Sequence, residues 1–231
     1  FRYPGIRSDS DMYTLGYPFR PWDDPKAIAD GPSILRYIRQ TAAEYGIDRR
    51  IRYGHKVAAA GWSSAEGRWT LELQVSAPDG TARTDTVTCD FLYLCSGYYR
   101  YDRGWFPDFP GRDRFRGELV HPQHWPEDLD YPGKKVVIIG SGATAVTLGP
   151  AMAGQAATVT ILQRTPTWIV SAPSVDPMAE KVKRRLPRRV AHGTLRWKNV
   201  ARGTALFQLC QRRPEVAKKM ILKAAAAALP E

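Results

Sequence analysis

The first regular element that the hydrophobic pattern predicts is a helix centred near residue 40. Its apolar positions recur every three or four residues, with Ser33 before them as a candidate cap and Gly46 after them as a stop. The recurring positions are Ile34, Leu35, Ile38, Ala42 and Tyr45. We therefore expect a helix that packs one face on a core and carries no chemistry.

Alternation of apolar and polar residues then replaces the helical spacing. It covers three stretches, Lys56 to Trp62, Trp69 to Ser76 and Arg83 to Thr88, with turn-forming residues at 65–67 and 78–80 between them. Alternation indicates half-buried strands, and short turns join antiparallel neighbours. The pattern predicts a three-stranded antiparallel meander.

Two continuous apolar runs come next. Residues 90–95 (DFLYLC) end at Ser96-Gly97, and Val136 to Ile139 end at a glycine turn. Short apolar runs bounded by turn residues are typical of buried strands in a parallel sheet. A helical stretch at 143–153 and a further strand at 158–162 follow, so the sequence predicts an α/β fold with a Rossmann-type unit.

Beyond Ser171 the strand patterns disappear, and helices are expected at 178–186 and 214–229. The second helix has Pro214 in its first turn, where proline is tolerated. Its apolar face contains Val216, Met220, Ile221 and Ala224, flanked by Lys218, Lys219 and Lys223. We expect this face to pack on a further domain, and the alternative is an amphipathic helix on a membrane surface.

The strongest chemical signal is the turn Gly140-Ser141-Gly142-Ala143-Thr144-Ala145, which fits the pattern G-x-G-x-x-A between a strand and a helix. In a dinucleotide-binding turn the first glycine permits the tight turn and the second lets backbone N–H groups approach a pyrophosphate. A small third residue keeps the helix close to the strand, and the helix N-terminus faces the anion. All six residues are therefore predicted to bind a nucleotide, rather than to form an ordinary connection.

The end of the second Rossmann strand predicts which nucleotide binds. A fold that selects NAD places a carboxylate there, whereas this chain has Arg164 and Thr165 and no acidic residue from Gly140 to Val175. A guanidinium can donate two parallel hydrogen bonds to a 2′-phosphate, and a threonine hydroxyl can add a third. We expect NADPH to be preferred over NADH, and the alternative is a solvated arginine at a strand end.

A second motif lies just before the glycine turn: Phe115-x-Gly117-x-x-x-His121-x-x-x-Trp125-Pro126. Taken singly, His121 and Trp125 would be interpreted as packing residues in a proline-rich connector. The whole pattern resembles the fingerprint of the flavin-dependent Baeyer–Villiger monooxygenases, which in that family directly precedes the NADPH-binding turn. The wider stretch at 117–135 is most similar to the ethionamide-activating branch.

The resemblance implies a flavoprotein fold with two dinucleotide-binding domains. Residues 1–97 would be part of an FAD domain containing the antiparallel meander, 98–133 a connector with the fingerprint, 134–170 part of the NADPH domain and 171–231 a basic helical segment. The family's FAD-binding glycine turn would precede this sequence and its catalytic arginine would follow it, so we expect an internal piece of a longer protein.

The resemblance also assigns roles to side chains. Asp9 in the turn-rich segment Tyr3 to Tyr13 would support the catalytic arginine beside the flavin, although residue types alone favour an ordinary surface turn there. The fingerprint, with His121 and Trp125, would couple the two domains so that the nicotinamide can move. Neither residue is expected to act as an acid or a base.

The implied function is an FAD- and NADPH-dependent monooxygenase that inserts one oxygen atom of dioxygen into a ketone or oxidises a thioamide or thioether sulfur. An N-hydroxylating or N/S-oxidising flavin monooxygenase is one alternative, against which the Trp-Pro end of the fingerprint argues. A non-catalytic nucleotide-binding or nucleic-acid-binding module is another. No metal site is predicted.

Net charge bears on that last alternative. The net charge of +11 arises wholly after residue 163, where 15 Lys and Arg face 4 Asp and Glu. No nucleic-acid motif accompanies it, so a nucleic-acid partner is not expected. The three cysteines, Cys89, Cys95 and Cys210, form no paired motif and predict free thiols in the cytoplasm.

Overall fold

The computed structural model describes residues 3–77, 79–165, 167–169 and 173–228, and the chain divides into two compact units. One unit is residues 39–104, and the other combines residues 1–38 with residues 105–231. The four-part division at residues 97, 133 and 170 stays a prediction.

The smaller unit contains the antiparallel meander. Its strands are β1 (His55–Ser63), β2 (Arg68–Ser76) and β3 (Ala82–Cys89), in that spatial order. Each strand begins and ends within one residue of the predicted bounds, because alternation and turn residues are both local signals. Pro78, in the second predicted turn, lies outside the described residues.

The predicted buried strand at residues 90–95 is wrong. This stretch is irregular, and Phe91, Tyr93 and Leu94 are 72–79% exposed. A strand needs a neighbouring strand to pair its backbone N–H and C=O groups. Among the described strands none pairs with this stretch, so an apolar run alone did not specify a sheet position.

The larger unit contains the Rossmann-type element. Strand β4 (Lys135–Ile139) pairs in parallel with β5 (Thr158–Leu162), and helix α3 (Ala143–Ala153) connects them. These three elements confirm the prediction closely. Helix α3 packs on the sheet through a small core of Ile138, Ala145, Leu148 and Met152.

A short helix α1 (Met12–Leu15) precedes the predicted helix α2, which spans Gly31–Glu44. Ser33 does not cap α2. The Asp30 carboxylate accepts a hydrogen bond from the Ser33 N–H at 2.9 Å, and the helix begins three residues earlier than predicted. Aspartate caps helices as well as serine does, and only the geometry chose between them.

Three helices follow the Rossmann element: α4 (Pro177–Arg185), α5 (Arg188–Arg212) and α6 (Pro214–Ala228). The first and third confirm the predicted helices, although residue 229 lies outside the described residues. The 25-residue helix α5 was not predicted. Gly193 and Gly203 lower its helix propensity, and its apolar residues do not repeat with a helical period.

Helices α4 and α5 pack on the N-terminal segment. Their Ala179 and Leu195 share a core with Met12, Tyr13, Trp22, Ala27, Ala29 and Tyr37. Several of the basic side chains are engaged there. Arg188 pairs with Asp23 at 2.5 Å, and Lys198 pairs with Asp176, so part of the charge excess serves this internal packing.

The expected packing of the apolar face of helix α6 on a further domain stays a prediction. Ala217 is the buried residue and Ile221 is half-buried, whereas Val216 and Met220 are exposed. No helix among the described residues is both long enough and apolar enough to cross a membrane.

Candidate functional site

The glycine turn, residues 140–145, begins while the chain is still hydrogen-bonded to the parallel sheet. Gly140 donates its N–H to the Leu162 carbonyl at 2.8 Å, so the turn leaves β4 while still paired with β5. The φ angle of Gly140 is +132°, a value that residues with a Cβ rarely adopt. This backbone geometry is the physical reason for glycine at position 140.

Gly142 begins the helix and leaves room above the turn. It is the N-cap of α3, and no side chain caps the first helical N–H groups. A Cβ added at Gly140 or Gly142 would meet no atom within 4 Å. Open space, free N–H groups and the positive end of a helix dipole are what a pyrophosphate requires.

The third small residue of the motif works through packing. Ala145 is buried against the core that joins α3 to β4 and β5. One turn later, Gly149 allows a closer approach, since a Cβ there would lie 3.0 Å from Cδ1 of Ile161. Gly149 was not singled out from the sequence, although its four-residue spacing from Ala145 on one helix face is a usable signal.

The end of β5 lies beside the glycine turn. Ser141 Oγ donates to the Thr165 carbonyl at 3.3 Å, and Thr167 Oγ1 donates to the Ser141 carbonyl at 3.3 Å. The Arg164 side chain is exposed and forms no ion pair with another described residue. A guanidinium is therefore free to bind an anion next to the turn.

Thr167 is a residue that sequence reasoning missed. Its hydroxyl is also 3.2 Å from Ser141 Oγ, so it links the glycine turn to the segment that carries Arg164. The spacing of two threonines, Thr165 and Thr167, two positions apart was the available signal, but it does not identify a partner.

The first half of the fingerprint is explained by contact between its own residues. The Phe115 ring lies over Gly117, where an added Cβ would be 2.6 Å from Cζ of the ring. Both residues are on the surface, and Phe115 is 57% exposed. The glycine therefore makes room for the aromatic side chain two positions before it.

His121 shapes the connector backbone. Its Nδ1 accepts the Gln123 N–H at 3.2 Å and so caps the short 3₁₀ turn Pro122–His124. An accepting Nδ1 leaves the ring proton on Nε2 when the imidazole is neutral. The Phe106 ring packs on the imidazole with centroids 5.3 Å apart, and Arg112 lies 5.0 Å from the centre of the same Phe106 ring.

Trp125 and Pro126 attach the connector to the Rossmann core. Trp125 is half-buried, packs edge-on to Tyr131 at 6.4 Å, and both rings contact the core under α3. The Pro126 carbonyl accepts the Leu129 N–H at 3.4 Å in the following turn. The second half of the fingerprint is thereby placed against the core of the Rossmann-type element.

Asp9 lies on an exposed bend in what we call the Asp9 loop, residues 3–11. The Ser8 N–H donates to the Ala29 carbonyl at 2.8 Å, and the Ala29 N–H donates to Ser8 Oγ at 3.0 Å. At its other end Gly5, with φ +77°, approaches α3 so closely that a Cβ would be 2.6 Å from the Thr147 carbonyl oxygen. The loop thus connects the Asp9 position to helix α3.

Asp30 anchors the same loop, because Arg7 and Asp30 form an isolated β-bridge. Hydrogen bonds from the side chain and backbone of Ser33, with a smaller contribution from Lys26, lower the pKa of Asp30 to about 2. The carboxylate is therefore charged at neutral pH and keeps its capping role. No group of three or more metal-ligating side chains occurs among the described residues.

Residues 10–186 match the model of the flavin-binding monooxygenase-like (FMO-like) family. Over its whole length the chain is 57% identical to the FAD-containing monooxygenase EthA of Mycobacterium tuberculosis and covers 46% of that protein. The chain spans about half the length of the curated relatives it matches.

Two solved structures are similar to the chain. One is OTEMO in complex with FAD and NADP, with 32% identity and a TM-score of 0.60 over 73% of this chain and 32% of that chain. The other is an oxidised steroid monooxygenase bound to NADP, with 29% identity and a TM-score of 0.65 over 84% of this chain and 35% of that chain. These similar structures and the family match confirm the predicted fold class, a flavoprotein with two dinucleotide-binding domains.

Proposed function

This chain belongs to the flavin-binding monooxygenase-like family. On that basis we propose that it functions in an FAD- and NADPH-dependent monooxygenase. The family match and the similar structures confirm the predicted resemblance to the flavoenzymes that include Baeyer–Villiger monooxygenases. The proposed substrate is a ketone, converted to an ester, or a thioamide or thioether, oxidised at sulfur.

The observation that carries the proposal is the open glycine turn beside the Arg164 segment. Gly140, Ser141 and Gly142 present an uncapped helix start, and Ser141 is bonded to the segment that bears Arg164 and Thr165. This arrangement suits a pyrophosphate at the turn and a 2′-phosphate at the strand end. NADPH is therefore the nucleotide we assign to these residues.

The overall reaction consumes one ketone, one dioxygen, one NADPH and one proton, and yields one ester, NADP⁺ and water. Flavin bound to the complete enzyme would supply the oxygen-activating chemistry. In this chain Gly140 to Ala145, Arg164 and Thr165 hold and orient the nicotinamide cofactor. Asp9 would support the catalytic arginine beside the flavin, and the fingerprint residues would couple the two domains so that the nicotinamide can move.

Other observations support the remaining parts of the proposal. Arg188, Lys198 and Arg196 of α5 bind Asp23, Asp176 and the Thr14 carbonyl within this chain. Part of the basic charge thus serves internal packing, and we propose no nucleic-acid partner. A membrane-surface role for α6 gains no support. The free thiols Cys89, Cys95 and Cys210 favour a reducing compartment, and we propose the cytoplasm.

The test uses the flavin-loaded full-length protein with an aliphatic ketone, a thioether and a thioamide. We expect NADPH-dependent product formation with one dioxygen consumed per product. Asp9→Ala should lower oxygenation while NADPH binding stays intact, whereas His121→Ala should slow reduction of the flavin by NADPH. Arg202→Ala, an exposed change on α5, is the control. Oxygenation of none of the three substrates would contradict the proposed function.

A further inference from the structure

Helix α5 holds both ends of the short helix α1. Asn199 Nδ2 donates to Asp11 Oδ1 at 2.7 Å, at the start of α1. Arg196 Nη1 donates to the Thr14 carbonyl at 2.7 Å and to the Gly16 carbonyl at 3.2 Å, at its end. Two side chains three positions apart on one face of α5 therefore bind the N-terminal and C-terminal ends of α1.

Asp11 is the centre of these contacts. Besides Asn199, its carboxylate accepts the Thr14 N–H at 2.9 Å and the Thr14 hydroxyl at 2.9 Å. A helix of four residues has no independent stability in water, because nucleation costs more than one turn of hydrogen bonds returns. The conformation of α1 therefore depends on tertiary contacts, and α5 supplies them.

The contacts between α1 and α5 lie beside a buried apolar core that both helices share. Tyr13 of α1 is fully buried and Leu195 of α5 is 1% exposed, and both belong to the same apolar cluster. Lys183 of α4 lies 4.9 Å from the centre of the Tyr13 ring. The two polar contacts of α5 are thus held in a fixed position by the buried surfaces between them.

Asp9 lies two residues before Asp11 and one residue after Ser8, which is bonded to Ala29. We propose that Arg196 and Asn199 are positioning residues: by fixing α1 they fix the downstream side of the Asp9 loop, and hence the direction of the Asp9 carboxylate. The kinetic part of this inference rests on the proposed function, whereas its structural part does not.

The structural test is amide hydrogen exchange of residues 12–16 in the full chain. Asn199→Ala removes a hydrogen bond to a charged group, so these amides should exchange about tenfold faster. Asn199→Asp should have a larger effect, because it places a second carboxylate beside Asp11. Arg196→Met should speed exchange of Gly16 and its neighbours, and Arg202→Ala should change nothing.

The amides of β4 serve as an internal reference for global opening. If they speed up by the same factor as residues 12–16, or if residues 12–16 do not change, the positioning role is overturned. A local change confined to residues 12–16 supports it. This outcome does not depend on flavin, NADPH or any activity.

The kinetic test uses the flavin-loaded full-length protein. Asn199→Ala should lower kcat for oxygenation about tenfold, with an unchanged KM for NADPH, because the altered loop is on the Asp9 side and not at the glycine turn. Faster exchange with parent-like kcat would refute the role in the reaction. A parent enzyme that oxygenates nothing would instead refute the proposed function and leave the exchange result standing.

Discussion

The glycine turn and the Asp9 loop both contain residues outside regular secondary structure, but they are held in different ways. The turn is held within one strand–helix–strand unit. The Gly140 N–H donates to the Leu162 carbonyl, and the Ser141 hydroxyl donates to the Thr165 carbonyl, 24 positions away. The Asp9 loop is fixed from a distance, through Gly5 against α3 and through Asp11, whose partner Asn199 is 188 positions away.

This difference explains why a function could be predicted for the glycine turn from its local sequence but not for the Asp9 loop. A strand, a glycine turn and a helix form one supersecondary unit, so its residues carry the whole geometric requirement. A loop held by distant elements has no such local requirement, and turn-forming residues suffice along its own length. Asp9 could be assigned a role only through resemblance to a family.

The largest effect is expected at Gly5, where the distant contact is closest. Gly5→Ala should place a Cβ 2.6 Å from the Thr147 carbonyl oxygen at a φ of +77°. Strain and overpacking together should cost about 3 kcal/mol. For a protein of this size the melting temperature should fall by about 6 to 12 °C, measured by calorimetry.

Gly133→Ala is the matched control, because Gly133 has φ +69° but no atom within 4 Å of an added Cβ. It should show the backbone strain alone and lower the melting temperature less. Gly142→Ala, with neither strain nor crowding, should leave stability nearly unchanged. Equal losses for Gly5→Ala and Gly133→Ala would show that the approach to α3 is unimportant.

The next effect concerns the nucleotide side of the comparison. Arg164→Ala removes the guanidinium next to the turn, and hydrogen bonds to charged groups contribute about 1.5 to 3 kcal/mol. NADPH binding should weaken roughly ten- to a hundredfold, and NADH binding should hardly change. The measurement is kcat/KM for each cofactor in the flavin-loaded enzyme, and a parent preference for NADH would rule out the assignment.

A smaller effect is expected in the fingerprint, where the crowding is local and the neighbour can move. Gly117→Ala would place a Cβ 2.6 Å from the exposed Phe115 ring, which can rotate away. A loss of about 0.5 to 1 kcal/mol in unfolding free energy is expected. Combining it with Phe115→Ala should cancel the loss in urea denaturation, and an additive double variant would contradict a direct contact.

The smallest expected effect is on the pH dependence of stability, through His192 of α5, the helix that holds the Asp9 loop from a distance. Burial, together with the positive charges of Arg196 and Arg188, lowers the pKa of His192, which only the Asp23 charge raises. Its Nε2 is buried without a hydrogen-bond partner among the described residues. The folded protein therefore resists protonation more than the unfolded chain does.

The sign follows from proton binding. Below the ordinary histidine pKa of about 6.5 the unfolded chain binds the extra proton first, so stability is full above that pH and falls below it. His192→Leu should reduce the loss in urea midpoint between about pH 7.5 and about pH 5.5. A loss of urea midpoint equal to that of the parent would show that His192 does not contribute to the pH dependence of stability.

Local signals in the sequence determined the meander, the Rossmann element, the glycine turn and the membership implied by the fingerprint. In each of these the determining residues are adjacent or separated by one strand or helix, so alternation, spacing and turn residues are sufficient. The failures occurred where a partner decided the outcome. Residues 90–95 have a strand pattern but pair with none of the described strands, and Asp30 rather than Ser33 caps α2.

Only the tertiary structure decided that the basic helices pack on the N-terminal segment. The sequence shows α4 and α5 as charged surfaces, but Arg188, Arg196 and Asn199 find acceptors at Asp23, Thr14 and Asp11. These pairs form because buried residues such as Tyr13 and Leu195 bring the segments together, and burial of apolar surface is not directional enough to be read from either segment alone. The long-range packing thereby fixes the position of Asp9, which its own neighbours in sequence leave open.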